Sequence, residues 1–388
     1  MAEELYYGRG KDEDNKKLIA FLDEVFFCEE DDDRDFLHLL PKCYKDQYRP
    51  AYNNFVVQDE NGEFRSAIGS FYNDMTVADE HFKTCCIGNV AVGKEYRGKG
   101  YMKELLKMSI DAMIENDTDI AYLGGQRQRY GFFGFETAGT SYGFGFSVKA
   151  LKHSFGNMPS GLVATRLEEG DLESIKNIEK LYSKIPVRSN RPLESYYDIL
   201  GSWRDETYIL TKDGEFIGYY IFNHSKDTLY EWDAIDTKYF PNLVMSAVEN
   251  TDHKGVTLAV APFEPEKMDF CTKNADGHRI NNCEMILVYH FKKSIRAYLK
   301  AKSSYAKLCD GEMTVLIHGI NGDEKMRITV KDNVTSVEDF DGTPEFELDH
   351  HTATRIFFSN FVSDRAVLPA NLQQWFPLGL YLSSSDTM

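Results

Sequence analysis

Residues Ile87 to Leu106 read I-G-N-V-A-V-G-K-E-Y-R-G-K-G-Y-M-K-E-L-L. The stretch opens as a strand, with apolar side chains at Val90 and Val92. It turns through a basic, glycine-bearing loop, Tyr96-Arg97-Gly98-Lys99-Gly100-Tyr101. It continues as a helix, with Met102, Leu105, Leu106, Met108, Ile110 and Met113 at mostly helical spacing. A loop that opens a helix offers backbone N–H groups with no intrahelical partner. The helix dipole adds partial positive charge at the same place, and glycine lets a ligand approach the backbone closely. Together these features make a pyrophosphate cradle. No G-x-x-x-x-G-K-[ST] string is present, and R-x-x-G-x-M is not the spacing of the dinucleotide fingerprint. A Gly-Lys turn that serves only solubility is the plainer alternative.

A second signal comes at a fixed distance beyond it. Ile120-Ala121-Tyr122-Leu123 reads as a short strand, and Gln128 to Glu136 runs Q-R-Y-G-F-F-G-F-E. Phe132, Phe133 and Phe135 read as core aromatics; Tyr130, in the loop, is a functional candidate. Arg97-x-x-Gly100 and Y-G-F-F-G-F resemble the acyl-CoA loop and the Y-x-x-x-G-F segment of the GCN5-related N-acetyltransferases (GNAT). The resemblance implies acetyl-CoA as co-substrate and no metal. Val90, Ala91 and Val92 would then bond the thioester carbonyl and pantetheine through the backbone. Arg97, Gly98, Lys99, Gly100, Tyr101 and Met102 would wrap the pyrophosphate. Met102 departs from the small residue that closes the family's pattern, so close backbone approach is in question there. The tyrosine matching Tyr130 protonates the departing CoA thiolate in that family.

Composition sets the outer bounds. A chain of 388 residues is too long for one ordinary core, so two or three domains are expected. No run reaches the length of a membrane span, and Met-Ala-Glu-Glu-Leu-Tyr-Tyr carries no secretory pattern. Seven cysteines, an odd number with no C-x-x-C pair, read as reduced thiols in a cytoplasmic protein. The ten histidines show no metal-ligand spacing. A formal net charge of −18 argues against nucleic acid and suits a cationic amine. The cluster Glu29-Glu30-Asp31-Asp32-Asp33 comes after Phe26-Phe27 at the end of a helix expected over 15–27. Phe27, Glu29, Glu30 and Asp32 are therefore candidates to receive an ammonium group, with a solvated turn as the equal alternative.

Along the chain, strands are expected at 52–57 and 66–72 around the Asn61-Gly62 turn. Ile87 to Val92 is the next strand, and one at 141–149 closes a first unit over residues 1–150. After the turn-rich segment 155–161 the order repeats. A helix spans Asp171 to Tyr182, and strands at 207–211 and 218–222 flank Asp213-Gly214. Residues 229–235 then match Ile87 to Val92. The segment after it, Asp236 to Leu243, has no glycine and no R-x-x-G, so a second cradle is not expected. Residues 151–288 thus read as a duplicated, non-catalytic unit. From 289 to 388 a basic amphipathic helix (294–303), strands at 311–317 and 326–330, and a helix at 352–361 precede the tail.

This layout resembles the enhanced intracellular survival (Eis) group of acetyltransferases. The fold class expected is α/β (α+β), with tandem GNAT-like domains followed by a sterol-carrier-protein-like α/β domain. In that group the general base is the C-terminal carboxylate, which here belongs to Met388. The tail from Gln374 is apolar until its last turn, whereas most termini are frayed and polar. The resemblance also implies a homo-oligomer, a hexamer. The expected reaction moves an acetyl group to a small cationic or aminoglycoside-like amine. The rivals are an acyl-CoA or lipid carrier without turnover, and a protein lysine acetyltransferase. Neither nucleic acid nor membrane is an expected partner.

Overall fold

The computed structural model describes residues 4–27 and 35–388. A long antiparallel hairpin, Phe64–Val77 with Glu80–Val92, forms the middle of the first sheet. It is more extended than the sequence pattern suggests: beyond exposed Asn73 and Asp74, Met75, Val77 and Phe82 are buried again. One face packs Phe55, Ile68 and Ile87 against Leu105 and Leu106 of the helix Tyr101–Glu115. The other packs Val56, Ala67 and Phe71 against Leu18 and Leu22 of the helix Asn15–Phe26. Leu18, Leu22, Leu105 and Leu106 are fully buried, each contributing about 1.5–3 kcal/mol.

The order across this sheet is Tyr6–Arg9, Asn54–Gln58, Phe64–Val77, Glu80–Val92, Ile120–Leu123, Glu284–Val288 and Glu136–Ala138. Val187–Ser189 pairs with the far end of Phe64–Val77. The second sheet runs Gly277–Asn281, Ser141–Ser147, Gly255–Val260, Thr228–Ala234, Glu215–Phe222, Glu206–Lys212 and Val163–Arg166.

Two strands are therefore exchanged relative to their places in the sequence. Ser141–Ser147 does not close the first sheet, as its position before the turn-rich segment suggests; it pairs with Gly255–Val260 and Gly277–Asn281 in the second. Glu284–Val288 leaves the second unit and fills the first sheet between Ile120–Leu123 and Glu136–Ala138. Burial decides this: Met285 and Leu287 pack into one face of the first sheet, Ile286 and Val288 into the other. That is the pattern of a strand covered on both sides.

The third sheet, Val334–Asp339, Gly322–Lys331, Gly311–Gly319 and Phe346–Asp349, carries the helices Phe291–Tyr305 and His350–Phe358. Ile295, Tyr298, Met313, Val315, Ile328 and Phe357 fill its interior, and this core continues through Phe82 and Tyr122 of the first sheet. Asp349 caps His350–Phe358, accepting from the Thr352 N–H at 3.0 Å. Among the described residues no helix is long and apolar enough to cross a membrane.

Candidate active site

The site begins where two parallel strands part. Glu80–Val92 and Ile120–Leu123 pair only from Thr84/Ile120 to Cys86/Tyr122. Beyond that rung Glu80–Val92 runs on alone at that edge. A bulge comes next: Gly88 pairs with Gly69 and Ala91 with Ala67, so Asn89 and Val90 oppose Ile68 alone. Asn89 has φ 38°, and its side chain locks the bulge. It accepts from the Tyr44 hydroxyl at 2.7 Å and donates to Asn54 Oδ1 at 2.7 Å. The Gly93 N–H donates back to Arg65 O at 3.0 Å. Peptide groups alternate sides along a strand. Those of Val90 and Val92 therefore face the open gap. Ala91 is fully buried, and its carbonyl accepts from Ser66 Oγ at 2.7 Å, so its contribution is to shape.

The loop after this strand has the properties of a cradle. Gly98 and Gly100 have φ 80° and 86°, and a Cβ built on either meets no atom within 4 Å. Glycine is needed for the backbone path, and the space above it is open. Gly100 starts the helix Tyr101–Glu115, and the first amide to bond back is that of Lys103, to Gly100 O at 3.0 Å. Arg97 and Lys99 are exposed beside these amides. Lys99 Nζ and the Arg65 guanidinium lie 5.0 and 4.0 Å from the Tyr96 ring centroid. Tyr101 turns its side chain into the core, edge-on to Tyr7, and Met102 packs on the same core. Only their backbone is available to a phosphate.

Tyr130 ends a short helix, Arg127–Tyr130, just after the second strand of the gap. It is 6% exposed and packs in the core with Tyr101 and Phe135, close against Gly125. Burial raises its pKa, and neighbouring Arg129 opposes the shift only in part. Phe132, by contrast, is 76% exposed and is no core aromatic. Phe27 stacks near Phe36, 5.3 Å between centroids, in the apolar cluster that Met388 also joins. Glu29, Glu30 and Asp32 lie outside the described residues.

The tail returns to the same strand. Its apolar part, Trp375, Phe376, Leu378, Leu380 and Leu382, is buried. Asp386 is bound by Arg191, Nε to Oδ1 2.8 Å and Nη2 to Oδ2 2.9 Å, and by the Tyr182 hydroxyl at 3.1 Å. Arg191 also holds Glu231 in a two-pronged pair at 3.0 and 2.7 Å, and its guanidinium lies 3.8 Å from the Tyr182 ring centroid. Burial pushes the Asp386 carboxyl up, but Arg191 outweighs it and holds the group below the usual range. Lys42 Nζ donates to the carbonyls of Ser385 and Thr387 at 2.6 and 2.7 Å. Trp203 donates its indole N–H to Thr387 O at 3.2 Å, from a backbone with φ 62° followed by Arg204 at 60°. Two successive left-handed residues are strained; here they aim the indole at the tail. The Met388 side chain lies over Gly88, where an added Cβ would come within 2.6 Å of its methyl. Lys42, Asn53, Tyr72, Asn73, Asn190, Arg191, Asp386 and Met388 line a cavity of about 270 Å³. None of Arg191, Glu231, Lys42 or Trp203 carries a sequence signal; each is an isolated polar residue whose partner is remote in the chain.

In the second sheet, Thr228–Ala234 and Gly255–Val260 are also parallel and part after Leu229/Leu258. Here the gap is closed. The Trp232 indole donates across it to Ala259 O at 2.9 Å, and Tyr381 and Ser383 of the tail reach Tyr230 O and Glu231 Oε2 at 3.4 and 3.1 Å. The turn beyond has its own anion: Asp236 accepts from the Lys238 N–H at 2.9 Å, and Pro241 opens the next helix.

Residues 7–138 match the family model described as an acetyltransferase (GNAT) domain. No curated protein matches the chain by sequence. Its fold is that of a GCN5-related N-acetyltransferase from Anabaena variabilis ATCC 29413, with a TM-score of 0.69 and 13% identity over 99% of this chain and 100% of that one. A probable N-acyltransferase of Enterococcus faecalis V583 is similar at a TM-score of 0.65 and 14% identity, over 97% and 96% of the two chains. Eis1 from Mycobacterium abscessus is similar at 0.59 and 12%, over the whole of both. The acetyltransferase (GNAT) domain at residues 7–138 marks the protein as an acyltransferase, and the chain as a whole has the fold of the structures just named.

Proposed function

We propose that the protein transfers an acetyl group from acetyl-CoA to a primary amine at the open end of Glu80–Val92. One observation carries this reading. A single strand runs from Gly88, beneath Met388, to Gly93 at the start of the glycine loop. The cradle and the tail are thus joined by a few residues of rigid backbone. The peptide groups of Val90 and Val92 would hold the thioester and pantetheine. The amides from Gly98 to Met102, with Arg97 and Lys99, would hold the pyrophosphate.

Acetyl-CoA supplies an activated acyl carbon. The amine displaces sulfur directly: a C–N bond forms, the C–S bond breaks, and the products are an acetamide and the free thiol. The α-carboxylate of Met388, steadied through Asp386, Arg191, Lys42 and Trp203, takes the proton the amine loses. The Tyr130 hydroxyl, protonated at neutral pH as any tyrosine is, gives a proton to sulfur. The filled interior of the third sheet favours a scaffold role there over lipid carriage.

The test is a chain lengthened by two residues after Met388, which moves the carboxylate by about 7 Å. The extended protein is expected to keep its melting temperature and acetyl-CoA affinity and to lose thiol release with an amine acceptor. Equal turnover would place the base elsewhere. Acetyl-CoA binding without thiol release from any amine, in the unextended protein, would favour the carrier reading. Preference for lysine peptides over small amines would favour a protein acetyltransferase.

A further inference from the structure

The first sheet has a gap along one edge, next to the tail. Phe64–Val77 is paired on its outer side up to Ser70, whose N–H donates to Asn53 O at 2.7 Å. Pairing on that side resumes at Asp74, whose carbonyl accepts from the Asn190 N–H at 2.7 Å, and continues with Val187–Ser189. Peptide groups on one side of a strand recur at every second residue. Tyr72, midway between Ser70 and Asp74, therefore points its N–H and C=O into the gap. Among the described residues no strand or loop pairs with them there. A missing rung between two filled ones is an uncommon thing to leave in a sheet interior, where backbone groups are nearly always satisfied.

The gap opens on the site. Asn53 and Tyr72 line both the tail cavity and a larger one of about 800 Å³ that also holds Arg9, Asp111 and Glu115. Asn73, beside the rung, donates to the Tyr122 hydroxyl at 3.3 Å, which donates to Asp386 O at 3.3 Å. The gap and the tail are thus two ends of one polar lining. The charge of that lining is informative. Among the described residues of the tail cavity, the side-chain cations are Lys42 and Arg191 and the side-chain anion is Asp386. Asp386 is already bound by Arg191 and Tyr182. Asp386 is thus committed, and Asn53, Tyr72, Asn73, Ser189 and Asn190 offer neutral donors and acceptors, while Asp111 and Glu115 belong to the larger cavity.

We propose that the acceptor is an amine that also carries a secondary amide, and that this amide bonds to the open rung at Tyr72. Its N–H donates to the Tyr72 carbonyl, and its own carbonyl, anti to that N–H in a trans amide, points away from the strand. This rests on the transfer reading above and narrows its acceptor to amide-bearing amines.

The experiment uses the full-length protein, acetyl-CoA and ω-amino N-methylamides of graded chain length. Each is paired with its N,N-dimethylamide, which keeps the carbonyl and loses the N–H. Butylamine and spermidine complete the panel. At the best length the secondary amide is expected to exceed its dimethyl partner and butylamine by about tenfold in kcat/KM. In parallel, the carbonyl-carbon resonance of Tyr72 is expected to shift when an N-alkylamide without an amine saturates the protein, while that of Asp74, already bonded to the Asn190 N–H, stays unchanged. Equal kcat/KM across each amide pair, or spermidine as the best substrate, would overturn the inference. If no amine releases thiol, the transfer reading fails by itself, and the carbonyl resonance still decides whether an amide binds at Tyr72.

Discussion

In the first sheet, Glu80–Val92 and Ile120–Leu123 part after Cys86 and Tyr122, and the free strand runs to a loop of two left-handed glycines. In the second, Thr228–Ala234 and Gly255–Val260 part after Leu229 and Leu258, and the chain's own tail lies in the gap. The two sheets share their strand geometry and differ in the turn beyond it. The first turn has open amides and exposed Arg97 and Lys99. The second has Asp236 on its own amide and Pro241 where a free N–H would be. A carboxylate already at a helix entrance competes with a phosphate for the same partial charge. The parting of two strands is thus permissive, and the turn after it decides whether an anion can bind.

The largest effect should come from Tyr130→Phe. If only the first gap is catalytic, losing one hydroxyl there lowers kcat by roughly 10²–10⁴-fold and leaves acetyl-CoA affinity unchanged. Activity within twofold of wild type would return Tyr130 to a packing role. Next is Arg191→Met, which leaves Asp386 and Glu231 buried without their cation. Stability should fall by about 3–5 kcal/mol, measured by chemical denaturation; a smaller loss would mean that the tail is seated by its apolar residues alone. Gly100→Asp adds a Cβ and a negative charge at φ 86°. By calorimetry it should weaken acetyl-CoA about 10- to 100-fold. Wild type should bind one acetyl-CoA per chain, and two equivalent sites would break the contrast between the gaps.

The smallest effect concerns Glu284, the first residue of the strand that crosses into the first sheet. Burial pushes its carboxyl up from 4.5 to about 7. Between those values the folded protein holds more protons than the unfolded chain, so its stability falls as pH rises through that window. Glu284→Gln should therefore raise the melting temperature at about pH 8 and leave it unchanged at about pH 4. A gain of equal size at both would show that ionisation is not the cause.

Local features were legible in the sequence. The strand–turn–helix at 87–106 could be read because periodicity and glycine placement act within a few residues. The second unit's helix, expected over 171–182, is Leu172–Tyr182 with Asp171 as its cap. The helix expected at 294–303 extends to Phe291–Tyr305, since Phe291 and Tyr298 anchor it in the core. The one expected at 352–361 is His350–Phe358, set back by the Asp349 cap. Long-range choices were not legible. Ser141–Ser147 and Glu284–Val288 look like strands, but nothing local says which sheet each joins. Arg191 meets Asp386 across 195 positions, and no spacing rule reaches that far.

The exchange of strands also governs how the protein is made. The first sheet cannot place a strand between Ile120–Leu123 and Glu136–Ala138 until Glu284–Val288 has left the ribosome. At about 5–20 residues per second, the nascent first half waits on the order of ten seconds with two unpaired edges. Neither sheet is complete without a strand from the other part of the chain. A fragment ending at Ala138 would carry the cradle and Tyr130 yet expose the edges that the missing strand should cover. Such a fragment should aggregate, and adding a peptide of residues 284–288 should rescue it in part. A truncated chain would have neither a finished first sheet nor a tail, and so would lack both parts that the proposed transfer needs.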